Sequence, residues 1–390
     1  MRWERVRLGD VTDSCLGKML DKAKNKGEYQ PYLANVDVRW GSFNLDDLSE
    51  MRFEDDERER YGLKYGDLVI CEGGEPGRCA IWKDQIPNMK IQKALHRVRV
   101  HDCLDYRFLY YWFLLAGKTG ALEQYFTGTT IKHMPGEKLK SVLIDMPPIE
   151  VQRHIANILW VYDDLIENNQ KQIKLLEEAA QRLYKEWFVD LRFPGHENVK
   201  IVDGVPEGWQ QQALSEIAYI IMGQSPKSEF YNQNQQGLPF HQGVGSYGER
   251  YVMDTTYSTS GTRIAEVGSI LFSVRAPVGR LNVTKHKIII GRGLAAINHR
   301  AGMQSYLFYL LKERFFKDDI MGNGSIFASI SKDELLGLKF VVPTNNLVVK
   351  FNAIAAPIDE KIANLAEQIE LLTETRDRLL AKLMSGEIEV

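Results

Sequence analysis

Few residues in this chain are spaced for catalysis. Gly243-Val-Gly-Ser-Tyr-Gly248 fits the G-x-G-x-x-G pattern, but a dinucleotide cradle needs a strand before it and a helix N-terminus after it to meet the pyrophosphate. Neither surrounds this stretch, which reads as a turn-rich loop. Met146-Pro-Pro-Ile149 lacks the Asn or Asp that amine-directed methyltransferases place before the prolines, and no glycine-rich motif for the methyl donor occurs. There is no nucleophile elbow and no P-loop. His133, His241, His286 and His299 have no partners at metal spacing and read as scattered polar histidines. Asp55, Asp56 and Glu57 read as a charge run rather than a nuclease cluster. The chain is expected to be non-catalytic, with no metal and no cofactor of its own.

The remaining polar residues suit recognition. Arg78, Lys93, Arg275, Arg280 and Arg292 lie in or beside glycine-rich loops, where a guanidinium or ammonium reaches phosphates or guanine edges. Asn35, Gln224, Gln242 and Asn323 carry amides able to pair bidentately with adenine. Thr129, Thr130 and Ser325 donate to phosphate or close a turn. Arg39, Gly74, Lys132 and Ser225 complete this DNA-binding set. Each has a plainer alternative: a surface side chain, or an arginine that caps its own loop.

The elements that position these loops read as strands and short helices in mixed order. Trp3 to Val11 alternates, Lys18 to Lys26 is a basic polar loop, and Tyr29 to Val38 reads as a strand with turn chemistry around it. Tyr65-Gly-Asp leads into a buried strand at Leu68–Cys71, then the glycine-rich loop Glu72–Arg78 and a strand from Cys79. A helix is expected from Tyr106 to Ala116, then a polar loop at Thr127–Lys132 and a strand ending at Met146. The order returns later in the chain. Val205-Pro-Glu-Gly-Trp209 parallels Trp3, Glu266–Ser273 the strand at Tyr65, Ala276–Arg280 the loop at Glu75, Tyr306–Leu311 the helix at Tyr106, and Gly322–Phe327 the loop at Thr127. Framework positions match and loops do not, as expected of two similar jobs on two different targets.

After each globular stretch comes a long helix. Ile155, Ile158, Tyr162, Leu165, Ile173, Leu176, Ala180, Leu183 and Trp187 recur at steps of three and four, interrupted only by Asn169 and Gln172. Phe351, Ile354, Ile358, Ile362, Leu365, Ile369, Leu372, Leu379 and Leu383 repeat the spacing. Tyr162-Asp-Asp-Leu-Ile aligns with Ile358-Asp-Glu-Lys-Ile, and Gln172-Ile-Lys-Leu-Leu with Gln368-Ile-Glu-Leu-Leu, both at an offset of 196 residues. A stripe that narrow and long wants a partner helix, so the two are expected to form an antiparallel coiled coil with these residues in its seam. Trp187 and Phe188 are expected to pack the helix end against a domain or to anchor a partner.

The fold class is therefore α+β (mixed α/β), with an internal pseudo-twofold repeat. The expected boundaries are 1–149 for the first domain, 150–192 for the first spacer helix, 193–208 for a linker, 209–345 for the second domain and 346–390 for the second helix. At 390 residues, 44% hydrophobic and 26% charged, the composition is that of a globular protein. Nothing at the start resembles a signal segment, and no run spans a bilayer. Cys15, Cys71, Cys79 and Cys103 lack paired spacing and read as reduced, mostly buried thiols of a cytosolic protein. The net charge of −3 argues against a generic basic nucleic-acid binder, but it is unevenly placed. Residues 205–345 hold 14 basic against 11 acidic side chains, and residues 1–149 balance at 23 each. The two helices hold 6 against 8 and 5 against 8. Domains are better suited to phosphates, and helices to protein.

One family combines these features. The order domain, long helix, domain, long helix, with Leu183-Tyr-Lys-Glu-Trp-Phe-Val-Asp-Leu-Arg-Phe-Pro-Gly195 closing the first helix, resembles the specificity subunit of type I restriction–modification systems. Thr127-Gly-Thr-Thr-Ile-Lys-His-Met134, Pro147-Pro-Ile-Glu-Val-Gln-Arg-His-Ile155 and the terminal Ser385-Gly-Glu-Ile are similar to that family's segments. Val342-Pro-Thr-Asn-Asn-Leu-Val-Val-Lys350 departs from it, lacking the Pro-Pro and Gln-Arg features. The resemblance implies two target recognition domains that each read half of a gapped double-stranded DNA sequence. It also implies two methyltransferase subunits using S-adenosylmethionine, restriction subunits using ATP with Mg, and a cytoplasmic location. A helix of about 40 residues is roughly 60 Å long, which at about 3.4 Å per base pair spans at most ~17 base pairs. Two readings of other classes stand beside it: a fused methyltransferase or nuclease, and a coiled-coil scaffold with two protein-binding domains.

Overall fold

The computed structural model describes residues 3–21, 25–315 and 329–390. They form two compact units, Met1–Asn168 with Gln368–Val390, and Asn169–Glu367. The division cuts through both long helices, so each unit owns half of each. Among the described residues no helix is long and apolar enough to cross a membrane.

In the first unit a four-stranded antiparallel sheet runs in the order Thr12–Leu16, Leu95–Val100, Leu68–Cys71, Cys79–Ile81. The central strand Leu68–Cys71 is buried throughout, as a continuous apolar run between two covered faces should be. A smaller sheet orders Glu50–Phe53, Glu28–Leu33 and Lys90–Ile91. Glu4–Arg7 pairs with Leu143–Met146, clasping the two ends of the domain. The helix Tyr106–Thr119 starts where the Asp105 carboxylate accepts from the backbone N–H of Arg107 and Phe108. It ends at Gly120, whose φ of 73° suits glycine.

The second unit repeats this order. Its four-stranded sheet runs Ala218–Met222, Leu294–His299, Ile270–Ser273, Leu281–Val283, and Gln210–Ala213 pairs with Lys339–Val342. The smaller sheet is longer than its counterpart, with five strands from Tyr231–Asn232 to Ile264–Ala265. The apolar helix Gln304–Phe315 takes the place of Tyr106–Thr119. Cys71 and Cys79 are buried, Cys15 is half-buried and Cys103 is exposed; all four thiols are free.

The central helix spans Ile149–Phe188 and the C-terminal helix Asn345–Met384, each 40 residues. Their first residues stand 196 apart, so the divergent segment before the second helix starts it at the equivalent position. The starts are satisfied differently. Gln152, fully buried, donates from Nε2 to the carbonyls of Pro147 (2.8 Å) and Cys103 (3.1 Å) and accepts from the Asp105 N–H. In the second unit Val348 is buried at the equivalent position, and Asn352 instead accepts from the Tyr306 N–H at 3.2 Å.

Within each unit the helix halves run antiparallel and complete the domain's core. In the first, Ile155, Ala156 and Leu159 of the central helix join Leu380, Leu383 and Met384 against Phe108, Tyr111 and Ile70. In the second, Ala180, Tyr184 and Trp187 meet Phe351 and Ala355 around Tyr306 and Leu310. The Phe351 ring lies 5.2 to 6.3 Å from those of Phe188, Tyr184, Trp187, Tyr306 and Tyr309. Trp187 and Phe188 thus pack the helix end against the domain. Of the expected seam, Ile362 and Leu365 are buried and Ile158, Tyr162, Ile173, Leu176, Leu183, Ile358, Ile369, Leu372 and Leu379 are half-buried. Leu165 and Ile354 are not in it: each is 45% exposed on the wetter shoulder of its stripe, while Asn169, four residues after Leu165, is buried.

Part-buried charge clusters lock each domain to its helices at equivalent places. Asp163 accepts from the Tyr111 hydroxyl (2.6 Å) and from Arg376 Nη1 (2.5 Å). Asp359, 196 residues on, accepts from the Tyr309 hydroxyl (2.9 Å) and from Arg250 Nη2 (2.6 Å). The arginines differ in origin: Arg376 belongs to the C-terminal helix, whereas Arg250 comes from a domain loop, also reaches Glu177 at 3.3 Å and lies over the Phe308 ring. Burial opposes the charge on Arg250, and Asp359, Tyr309 and Glu177 outweigh it, so its pKa is raised. A paired buried charge of this kind is costly to break from one side.

Phe351 joins a helix start to five other rings. Phe351→Ala is expected to destabilise the second unit by about 3–5 kcal/mol, read as a lowered urea midpoint and loss of amide protection confined to residues 169–367. A change below ~1 kcal/mol would contradict the packing described.

Candidate nucleic-acid interface

Five loops of the first domain converge at one end of its four-stranded sheet. The strand Thr12–Leu16 leads into Gly17-Lys18, Gln92-Lys93-Ala94 precedes Leu95–Val100, and Glu72–Arg78 joins Leu68–Cys71 to Cys79–Ile81. Backbone bonds tie them together: Gly17 N–H to Leu95 O, Lys93 N–H to Lys18 O, and Glu72 N–H to Ala94 O. Asn35 and the loop Thr127–Met134 join through Gly73, which bridges His133 and accepts from Asn35 Nδ2 at 2.8 Å. Asn35, Arg39, Gly74, Arg78, Lys93, Thr129, Thr130 and Lys132 are thus gathered by the fold from a span of about a hundred residues.

Their availability differs. Arg39, Gly74, Lys93, Thr129, Thr130 and Lys132 are exposed. Arg78 is half-buried and occupied: its guanidinium donates to Glu75 (3.0 Å) and to the Asn35 carbonyl (3.1 Å). It caps its own loop. Arg39 donates to the carbonyls of Val36 and Val38, and Lys132 pairs with Glu123 at 3.4 Å. Asn35 does not offer the free amide needed for bidentate adenine pairing, since Nδ2 is spent on Gly73 and Oδ1 is buried. Lys18, at the head of the basic loop, is buried and bonded to Glu57 and the Arg52 carbonyl. Val36 and Ile131, absent from the candidate set, are 70% and 63% exposed in this cluster. Their apolar side chains suit contact with a thymine methyl; no periodicity marks them, because a loop tip has none.

The second domain builds the same end from other residues. Gly223-Gln224-Ser225 follows Ala218–Met222, Gly291-Arg292-Gly293 precedes Leu294–His299, and 274–280 joins Ile270–Ser273 to Leu281–Val283. Gln242 follows its strand one position before the place that Asn35 takes, its carbonyl accepting from Gly293 N–H at 3.1 Å. Gln224, Gln242, Arg275 and Arg292 are exposed; Ser225 and Arg280 are half-buried. Ser273 Oγ holds the 274–280 loop by donating to Pro277 O (2.6 Å) and accepting from Arg280 N–H (2.8 Å). Asn323 and Ser325 lie outside the described residues.

Beneath this loop end the fold brings two histidines together. His241, fully buried in its strand, meets Ser246 Oγ at 2.7 Å through Nδ1 and Asp254 at 2.9 Å through Nε2, and His286 meets the other Asp254 oxygen at 2.6 Å. They are therefore not scattered, though they lie 13 and 32 residues from Asp254. Burial alone would raise the Asp254 carboxyl; the hydrogen bonds and charge of the two imidazoles outweigh it and hold it below its ordinary value. Among the described residues no cluster of three His, Cys, Asp or Glu side chains could hold a metal ion. His133 is exposed in the first loop cluster, and His299 accepts from the Ala301 N–H in a turn.

The arrangement presents, twice, a rigid sheet end carrying exposed cationic, amide and hydroxyl groups on loops of different chemistry. Comparison with known proteins gives it a family. The sequence model of the type I restriction modification DNA specificity domain matches residues 1–178 and 206–377. The chain is 28% identical over 341 residues to the type I restriction enzyme MjaIX specificity subunit of Methanocaldococcus jannaschii, covering 83% of this chain and 78% of that one. It is 33% identical over 259 residues to the putative MjaX specificity subunit of the same organism, covering 65% of this chain and 61% of that one. In fold it is similar to the S subunit of a type I restriction–modification system from M. genitalium, with a TM-score of 0.59 at 20% identity over 98% of this chain and 96% of that one. With the specificity domain present twice and covering most of its length, the chain belongs to the type I restriction–modification DNA specificity family.

Proposed function

We propose that each loop cluster reads one half of a gapped double-stranded DNA sequence, and that the long helices carry the subunits that act on it. The observation that carries this reading is the pair of equivalent sheet ends, alike in framework and, among the described residues, carrying different exposed side chains. A single target would not need two divergent readers on one scaffold. Arg39, Gly74, Lys93, Thr129, Thr130, Lys132, Gln224, Ser225, Arg275, Arg280 and Arg292 are the contacts we assign to phosphates and base edges, with Asn35 and Arg78 shaping the first cluster from within. Specificity subunits are the DNA-recognition component of their complexes and not its enzyme. Adenine methylation with S-adenosylmethionine and cleavage with ATP and Mg fall in this proposal to partner subunits working in the cytoplasm.

The helices support the partner role. Leu175 and Leu371 stand 196 residues apart and are 65% and 57% exposed among polar neighbours. An exposed leucine at the same position of both repeats suits a protein contact made once by each of two methyltransferase subunits, and the acidic helix faces repel phosphate. Leu175→Asp with Leu371→Asp is expected to weaken assembly with the methyltransferase subunit at least tenfold while leaving the unfolding midpoint of the isolated chain unchanged; pulldown at graded concentrations reads it. Unaltered assembly would place the contact elsewhere.

Phosphate contacts are expected to make DNA binding steeply salt-dependent. Arg292→Ala should weaken binding at all sequences alike and lower the slope of log K against log salt by about 0.9. A shift in half-site preference without a change of slope would assign Arg292 to a base instead.

The decisive test is methylation mapping of a host expressing this chain with its methyltransferase subunit. Methylated adenines confined to one two-part sequence are the expected result. Methylation absent, or indifferent to this chain, while the complex assembles would leave the scaffold reading in its place.

A further inference from the structure

Gln242 is held so that only one half of its amide faces outward. Ser225 Oγ lies 2.6 Å from its Oε1 and 3.3 Å from the backbone N of Arg292. The hydroxyl accepts the Arg292 N–H and donates to the amide oxygen, which packs against Gly291, so the group is held with its oxygen inward. Among the described residues no acceptor takes the Nε2 hydrogens, and the side chain is exposed. The rest of the residue is rigidly placed. Its carbonyl accepts from Gly293, the preceding His241 is buried between Ser246 and Asp254, and the side chain passes Gly291 so closely that a Cβ there would stand 2.7 Å from Oε1. Beside it opens a shallow cavity of about 480 Å³, lined by Gln242, Ser246, Thr255, Thr256 and the Tyr231 and Phe240 rings, whose centroids are 4.7 Å apart.

A glutamine that reads adenine must offer an acceptor to N6 and a donor to N7 in one plane. The Gln242 oxygen has one of its two lone pairs taken by Ser225 and lies against Gly291, whereas the Nε2 hydrogens face outward. We propose that Gln242 is a specificity-determining residue of the second domain and reads, as a donor only, the keto edge of guanine or thymine in the major groove. Guanine presents O6 and N7 and thymine O4, all acceptors; the amino groups of adenine N6 and cytosine N4 would set donor against donor. The corresponding loop of the first domain has no such reader, because Asn35 turns its amide inward to Gly73. This inference rests on the DNA-reading role proposed above.

Gln242→Glu tests it without moving the scaffold. A carboxylate of the same length keeps an oxygen for Ser225 Oγ and turns the outward group from donor to acceptor. In methylation mapping of the assembled complex, one position of one half-site is expected to change from a keto base to adenine or cytosine, with preference inverted by about tenfold or more. Gln242→Ala should relax the same position towards all four bases and leave every other position as it was. The wild-type motif itself tells guanine from thymine. An unchanged consensus in either variant overturns the proposal, as does loss of all methylation in Gln242→Ala, which removes no contact to the helices. If the wild-type chain directs no two-part methylation, the function proposed above fails first and the two failures are not confused.

Discussion

Neither globular domain closes its own core; that constraint governs the rest of the molecule. Ile155 and Leu159 from one helix and Leu380 and Leu383 from the other seal the first core, and Tyr184 and Phe351 do so for the second. The first domain therefore depends on residues more than two hundred positions away. At each seam a tyrosine hydroxyl and an arginine converge on an aspartate, Asp163 or Asp359. Hydrophobic area supplies the stability, and the part-buried polar group supplies register, since a one-turn slip would leave a partly desolvated carboxylate without its donors. With the frame secured by helices and sheets, the loops at the far strand ends are free to differ.

The two repeats have drifted in how they solve the same problem. At the helix start, buried Gln152 answers three backbone groups in the first unit, whereas Val348 fills the site with apolar volume in the second and Asn352 takes over one bond. At the seam, the place equivalent to Arg376 is the small, buried Ala180, and Arg250 supplies the cation from a domain loop. These are compensating pairs. A side chain lost from a helix is replaced by one from the domain, and the aspartate stays satisfied.

Much of this architecture was legible in the residues, because helix and strand periods are written directly into apolar spacing. Both helices lie where steps of three and four place them, and the 196-residue offset holds to the first residue of each. Leu165 shows the limit. Spacing tells which side of a helix a residue faces, not how deeply that side is covered. The candidate interface was legible as glycine-rich loops with polar side chains, and strand pairing does bring those loops together. What each side chain does there was not legible. Arg78 is spent on Glu75 and Asn35, Asn35 on Gly73, and Gln242 has its oxygen held by Ser225; each depends on a partner 3 to 43 residues away that no local pattern records. His241, Asp254 and His286 meet for the same reason, through the pairing of strands rather than through spacing.

Two separate readers share one frame, and exchanging one reader is the sharpest test of that. Residues 205–345 would be replaced by the matching segment of a relative with a different target, and the methylated sequence of the resulting complex mapped. One half of the motif should change to the donor's, with the other half and the gap retained, because the frame residues Asp359, Phe351 and Tyr184 lie outside the exchanged segment. A change in both halves, or in neither, would contradict it.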